Sequence, residues 1–197
     1  MIVRIKLLHR KDKNMKSAIS INQSDKHAIK TLSDHLYDLI INLDKKFNKI
    51  IFVCIGTDRS TGDSLAPIVG SKIHKKYNVY GTLENPDHAK NLEETMNMID
   101  TKNNLIIAID ACLGKSENVG NINIHNGSLK PGSAVGKDLM AVGDISISGI
   151  VNFSGFMDFL ILQNTRLSIV MNLSNIISKV ICKTMKQVNK ENIKKSA

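Results

Sequence analysis

An α/β fold, a three-layer α/β/α sandwich with a mostly parallel twisted sheet, is the class this chain of 197 residues predicts. Three observations carry it. Ile50–Ile55 (IIFVCI) and Leu105–Asp110 (LIIAID) are short runs of β-branched and other apolar residues, suited to strands covered on both faces. Amphipathic helical patterns stand between and around them, which is the alternation that builds parallel sheets. The first run opens into a polar, glycine-led loop, Gly56–Gly62, of the length that joins a strand to a helix.

Taken in order, Met1–Leu8 alternates poorly and suits a short edge strand or a frayed start, and Lys11–Asn22 reads as loop. Ser24 is placed as the cap of a helix over Asp25–Leu43, because Ala28, Ile29, Leu32, Leu36, Leu39, Ile40 and Leu43 recur at spacings of three and four. After the first strand, Ser64–Tyr77 continues as helix, with Leu65, Ile68, Val69 and Ile73 spaced for burial and Pro67 tolerated in the first turn. Asn78–Leu83 predicts a short strand, and Asp87–Ile99 a helix entered at Asn85-Pro86. The second buried strand ends on Asp110. Beyond Gly114, glycine-punctuated strands are expected at Val119–Ile124, Ser128–Leu129 and Ile145–Asn152. Met157–Lys186 reads as one long helix with Leu160, Leu167, Val170, Leu173, Ile177, Val180 and Ile181 on one side. That stripe has two readings, packing on the chain's own core or a seam with a second copy, so a homo-oligomer through this helix stays open.

The whole chain reads as one domain: an N-terminal extension with one helix over 1–48, a core over 49–178, and a basic tail over 187–197. Net charge is +9, but its distribution matters more than its size. Residues 1–48 hold ten Lys or Arg against five acids and residues 179–197 six against one, so the intervening core is nearly neutral. Aromatic residues make up 4% and Trp is absent. A basic surface interleaved with stacking rings is therefore not expected, and neither is direct nucleic-acid contact. No apolar run approaches the ~18 residues that cross a bilayer. The opening MIVRIKLLHRKDK lacks the order of a secretory signal, and three unspaced cysteines suit reduced thiols, so a cytoplasmic protein is expected.

Two segments invite a phosphate-loop reading and fail it. Gly56–Asp63 lacks the Gly-Lys-Ser/Thr ending and sets Asp58 and Asp63 where a phosphate needs positive charge. Pro131–Asp138 ends in Gly-Lys, but Pro stands for the first Gly and Asp for the metal-binding hydroxyl. The carboxylates carry more. If the two buried strands are neighbours, Asp63 and Asp110 converge above the sheet, where one of two close carboxyls must keep its proton. Such a pair can activate water for attack on an amide, and it can equally chelate a divalent metal. A plain capping role at a helix N-terminus is the competing reading for Asp63. Asp58 is a third nearby carboxylate, and Arg59 has the planar donors that orient a carboxylate or carbonyl. Cys112, two residues past Asp110, is a weaker candidate nucleophile.

CIGTDRSTGDSLAPIVG, NPDHAKNLEE, IDACLG and LKPGSAVGKDLMAVGDISISGIVN, in this order over about residues 49–178, resemble the sporulation protein YyaC family. That family is similar to the germination protease of spore-formers and, more distantly, to hydrogenase maturation endopeptidases. The resemblance implies a phosphorylase/hydrolase-like fold and a spore-associated peptidase, with Asp63 and Asp110 as the catalytic aspartates and no required cofactor. It implies a protein or peptide substrate, with small spore proteins the nearest guess, and a place in the forespore interior or spore core. The polar loop (Thr57, Asp58 and Arg59) and the Pro131–Lys137 turn, with Ser133, then supply substrate contacts. In the hydrogenase proteins a histidine completes a nickel site with the two carboxylates, and His125 is the weak candidate here. Thr57 and Ala66 depart from the Asn and Gly usual at their positions. A catalytically inactive binding or assembly module and a nickel-guided endopeptidase remain the alternatives.

Overall fold

The computed structural model describes residues 17–88, 90–132 and 140–196. The strand considered at Met1–Leu8 and the Ser133–Lys137 part of the glycine-rich turn lie outside them.

Six strands form one sheet in the order β1-β5-β6-β4-β2-β3. β2 (Lys49–Cys54), β3 (Asn78–Tyr80), β4 (Asn104–Gly114) and β6 (Ile145–Phe153) run parallel. β5 (Asn121–Asn126) is antiparallel to β6, and β1 (Ala18–Asn22) pairs antiparallel with β5 at the edge. The mostly parallel sheet is thus as expected, except that part of the segment read as loop, Lys11–Asn22, contributes an edge strand. The reason is visible in its alternation: Ile19 and Ile21 pack on the core while Ser20 lies toward solvent, a period-two signal too short to stand out.

Helices α1 (Ala28–Asn42), α2 (Leu65–Ile73) and α5 (Leu167–Ser196) cover one face. Leu32, Leu36, Leu39 and Ile40 of α1 meet Val180, Ile181 and Val188 of α5 and the Phe52 side of the sheet in one continuous core. Each such fully buried side chain contributes about 1.5–3 kcal/mol. The apolar stripe of the C-terminal helix is therefore spent on the chain's own core from Val170 onward, while Leu160 and Leu167 are exposed. On the other face α3 (Leu92–Met98) and the residue after it pack Leu92, Met96 and Ile99 on Ile51, Val53, Ile106, Ala108 and Val142.

Several element boundaries differ from expectation. Ser24 does not cap α1; its amide bonds to Asn22, while the Asp25 carboxylate accepts the N–H of His27 at 2.7 Å. α3 is short because Asp87 is held in a bridge to Ile55, with its C=O accepting the Gly56 N–H and so not serving a helix. The long C-terminal pattern is two helices, α4 (Asp158–Gln163) and α5, parted at Asn164–Arg166. There Asn152 on β6 donates to the Ile161 carbonyl and the Thr165 hydroxyl, tying the break to the sheet. Finally, β4 does not stop at Asp110 but runs on to Gly114 beside β6, with a register shift at Cys112/Leu113. β2 ends earlier, with Cys54 opposite Ile109. This difference in length creates the site.

Candidate active site

Where β2 stops, its chain turns away through Gly56, and β4 continues alone on that side. Gly56 has φ +149°, and a Cβ there would lie 2.1 Å from the Asp63 carbonyl oxygen. Only glycine fits so close an approach. The loop then folds back: Thr57 donates its N–H to the Asp63 carbonyl at 3.3 Å, and Gly62 donates to the Leu162 carbonyl of α4 at 2.8 Å. Asp63 is thereby held two residues ahead of α2. The N-cap position belongs to Ser64, whose hydroxyl bonds back to the Thr61 carbonyl at 2.7 Å.

The result is a cavity of about 390 Å³ lined from several separate stretches of chain. Ile55, Gly56, Asp63 and His88 form one end. Asp110 to Leu113 of β4 and Ser148 of β6 form the floor. Leu129 to Gly132 and Ser154, Asp158 and Leu162 complete the lining. β2 and β4 are adjacent and parallel, as the convergence of Asp63 and Asp110 requires, and both carboxyls line this cavity.

Their electrostatics are unequal. Burial pushes the Asp63 carboxyl up to about 6, and the nearby His88 ring opposes the rise. Burial also holds Asp110 well above the usual carboxylate range, and the charge of Asp63 adds to the shift. One backbone donor, the Ala111 N–H at 2.7 Å from Asp110 Oδ1, works against it. Of the two, Asp63 is the one that ionises first, and its charge holds the proton on Asp110. A capping carboxylate at a helix N-terminus would be shifted downward, the opposite of what Asp63 shows.

Of the other residues singled out from the sequence, Thr57, Asp58 and Arg59 do not line the cavity. The Thr57 hydroxyl accepts the Arg59 N–H at 3.3 Å, so it organises the loop, and Asp58 and Arg59 point into solvent as exposed residues. Polar loop composition alone did not distinguish a loop that shapes the cavity from one that faces it. Ser133 lies outside the described residues. His125 sits on β5 with a ring nitrogen 2.9 Å from Ser146 Oγ and is not part of the cavity wall. The histidine that does line the cavity is His88, which stands in the sequence only within the longer motif NPDHAKNLEE. Its signal was positional: it follows Asp87, which is pinned beside the end of β2 by the Gly56 N–H at 2.7 Å and by its own side chain to Thr95 Oγ1 at 2.7 Å.

Cys112 lies on the floor, but burial raises its thiol to about 11, with Ser148 hydrogen bonding opposing and Asp110 adding. It is a neutral thiol there, unsuited to nucleophilic attack. Among the described residues no three His, Cys, Asp or Glu side chains come together in a way that holds a metal ion. His125, the histidine weighed from the sequence, lies outside the cavity wall and does not join the two carboxyls.

Comparison with known proteins places the chain. It is 53% identical over 136 residues to the protein of Bacillus subtilis (strain 168) titled uncharacterized protein YyaC, and the match covers 66% of each chain, just under two thirds of the relative's length. Among solved structures it is similar to the hydrogenase 3 maturation protease, with a TM-score of 0.39 and 12% identity over 66% of this chain and 87% of that one. A likeness of that size carries no weight for activity. The family model described as protein of unknown function (DUF1256) matches residues 20–180, and the chain belongs to that family.

Proposed function

We propose that the protein is an aspartate-dependent peptidase that hydrolyses a peptide bond in the cavity at the end of β2. The observation that supports this reading is a pair of carboxyls lining one cavity and pushed apart in proton affinity, Asp63 near 6 and Asp110 well above its ordinary value. Such a split assigns the acid and the base. Ionised Asp63 takes a proton from water as the water oxygen attacks the amide carbon. Protonated Asp110 donates a hydrogen bond to the carbonyl oxygen, stabilising the charge that develops there. Collapse of the tetrahedral intermediate breaks the C–N bond, and the proton held by Asp63 passes to the leaving amine.

The resemblance of the chain's motifs to the YyaC family, itself similar to the germination protease, supports a protein substrate of the spore, acted on during sporulation or germination in the forespore or spore core. The test is cleavage of a spore-protein extract by wild type, Asp63→Asn and Asp110→Asn. Loss of at least a hundredfold in both variants is expected. Cleavage that survives both changes rejects the assignment. A binding or assembly module with the same fold would show no cleavage by wild type either.

A further inference from the structure

We infer that the cavity receives its substrate as an extended strand that adds to β4 in the place β2 vacates; the inference rests on the peptidase reading for what the strand is, a segment of a protein to be cut. The argument begins with backbone direction. Ile109 turns its backbone groups toward β2, since its C=O accepts the Ile55 N–H at 2.8 Å. Alternate residues of a strand repeat that direction, so Ala111 and Leu113 turn theirs the same way. There β2 has already left the sheet, and its register with β4 ends at Cys54 opposite Ile109.

Among the described residues no strand takes its place. The Ala111 N–H has turned onto Asp110 Oδ1, and the Ala111 C=O and both backbone groups of Leu113 remain facing the cavity. Backbone groups with no protein partner are costly unless they are wetted or paired, and an incoming polypeptide supplies the alternating donors and acceptors they lack. No small apolar ligand offers that pattern. Such a segment would also meet the two carboxyls, because Asp63 and Asp110 line the same cavity as Ala111 and Leu113.

The far end of the slot gives the side-chain preference. Phe153, opposite Gly114 on β6, is half exposed, and Phe156, Met157, Phe159 and Leu160 follow it on the surface, with Phe156 fully exposed. The slot wall, Ser154, Asp158 and Leu162, belongs to this same stretch. The segment that lies along β4 therefore passes onto an apolar shelf, and the substrate is an unfolded or loosely held segment with apolar side chains on one flank of the cut.

The test reads binding without cleavage. Immobilised Asp110→Asn protein, with a circular dichroism spectrum equal to wild type, is exposed to a pool of synthetic 12-residue peptides. Retained peptides are sequenced and the tightest is remade with one N-methyl amide at each position in turn. A strand added to β4 loses at least tenfold in affinity at every second position over the paired run and little at positions between. The retained peptides should also be rich in apolar residues at one end, a preference that Phe156→Ser with Phe159→Ser removes. No retained peptide, or losses without the two-residue period, overturns the inference. Period-two binding in a protein whose cleavage does not depend on Asp63 and Asp110 keeps the strand-addition mode and rejects the peptidase; aspartate-dependent cleavage without the period does the reverse.

Discussion

Asp110 and Asp63 face one cavity from neighbouring parts of a parallel sheet, and each is kept from its ordinary ionisation by burial, with the charge of one raising the other. β4 carries the first as an internal strand residue opposite Ser148, and the loop after β2 carries the second. Their partnership rests on β2 ending where β4 goes on.

The pH profile of cleavage should have an acid limb with an apparent midpoint near 6, because Asp63 must be ionised to take a proton from water. Activity falls below that pH and is sustained above it until Asp110 gives up its own proton. Measuring kcat/KM from pH 4 to 9 checks this. A profile that is flat through pH 5–7 contradicts it.

His88 opposes the rise at Asp63, so His88→Gln should move that acid limb to higher pH. The shift, and not a loss of the maximal rate, is the signature of an electrostatic neighbour that does not itself exchange protons with the substrate. An unmoved limb with the rate reduced would assign His88 a direct role.

Stability should carry the same mark. Asp63 binds its proton more tightly folded than unfolded, so the folded state gains from protonation. That stability is fully present below about pH 4 and is lost as pH rises through about 6. With Asp63 partly open to solvent, the fall is about 1–2 kcal/mol. Urea denaturation of wild type and Asp63→Asn at pH 4 and pH 7 checks it: the variant should lack this part of the pH dependence.

Gly56→Ala should damage the site by geometry alone. A Cβ would meet the Asp63 carbonyl oxygen at 2.1 Å in a backbone conformation that side chains rarely adopt. The expected cost is about 2 kcal/mol or more of stability, together with displacement of Asp63 and loss of cleavage. Comparison of melting temperature and rate with wild type reports both.

Asp144, in contrast, is a test of stability away from the cavity. Its carboxylate accepts Lys45 Nζ at 2.6 and 2.8 Å and the Ile106 N–H at 2.8 Å, joining the entry to β2 with the starts of β4 and β6. Asp144→Ala should destabilise by about 1–3 kcal/mol, since the Ile106 amide and the lysine lose a common partner. The acid limb near pH 6 should not move. Urea denaturation and the pH profile together measure this.

The parts of the fold legible in the sequence were those with a strong period. The apolar runs of β2 and β4 and the three-four spacing of α1 and α5 mark their elements because burial on two faces, or on one stripe, dictates residue type. β1 was not legible, since an edge strand needs only two inward residues, Ile19 and Ile21, and their setting is polar. Nor was the extent of β4: after Asp110 the residues Ala111–Gly114 are half-buried, so composition marks no strand where only one neighbour, β6, remains. Asp63 and Asp110 could be singled out because a carboxylate beside a buried apolar run needs a reason. His88 could not, because its place depends on Asp87 bridging to Ile55 across thirty-odd positions of chain. Thr57, Asp58 and Arg59 stand out by composition alone, and they lie outside the cavity lining.

The most direct measurement is a carbon-13 NMR titration of the aspartate carboxyls in the intact protein, with Asp63→Asn and Asp110→Asn spectra to assign the two signals. The account expects Asp63 to titrate with a midpoint near 6 and Asp110 to titrate well above the ordinary carboxylate range, after Asp63. It also expects the Asp110 midpoint to fall in Asp63→Asn, as the neighbouring charge disappears. Two independent carboxyls titrating near pH 4, each indifferent to removal of the other, would contradict it.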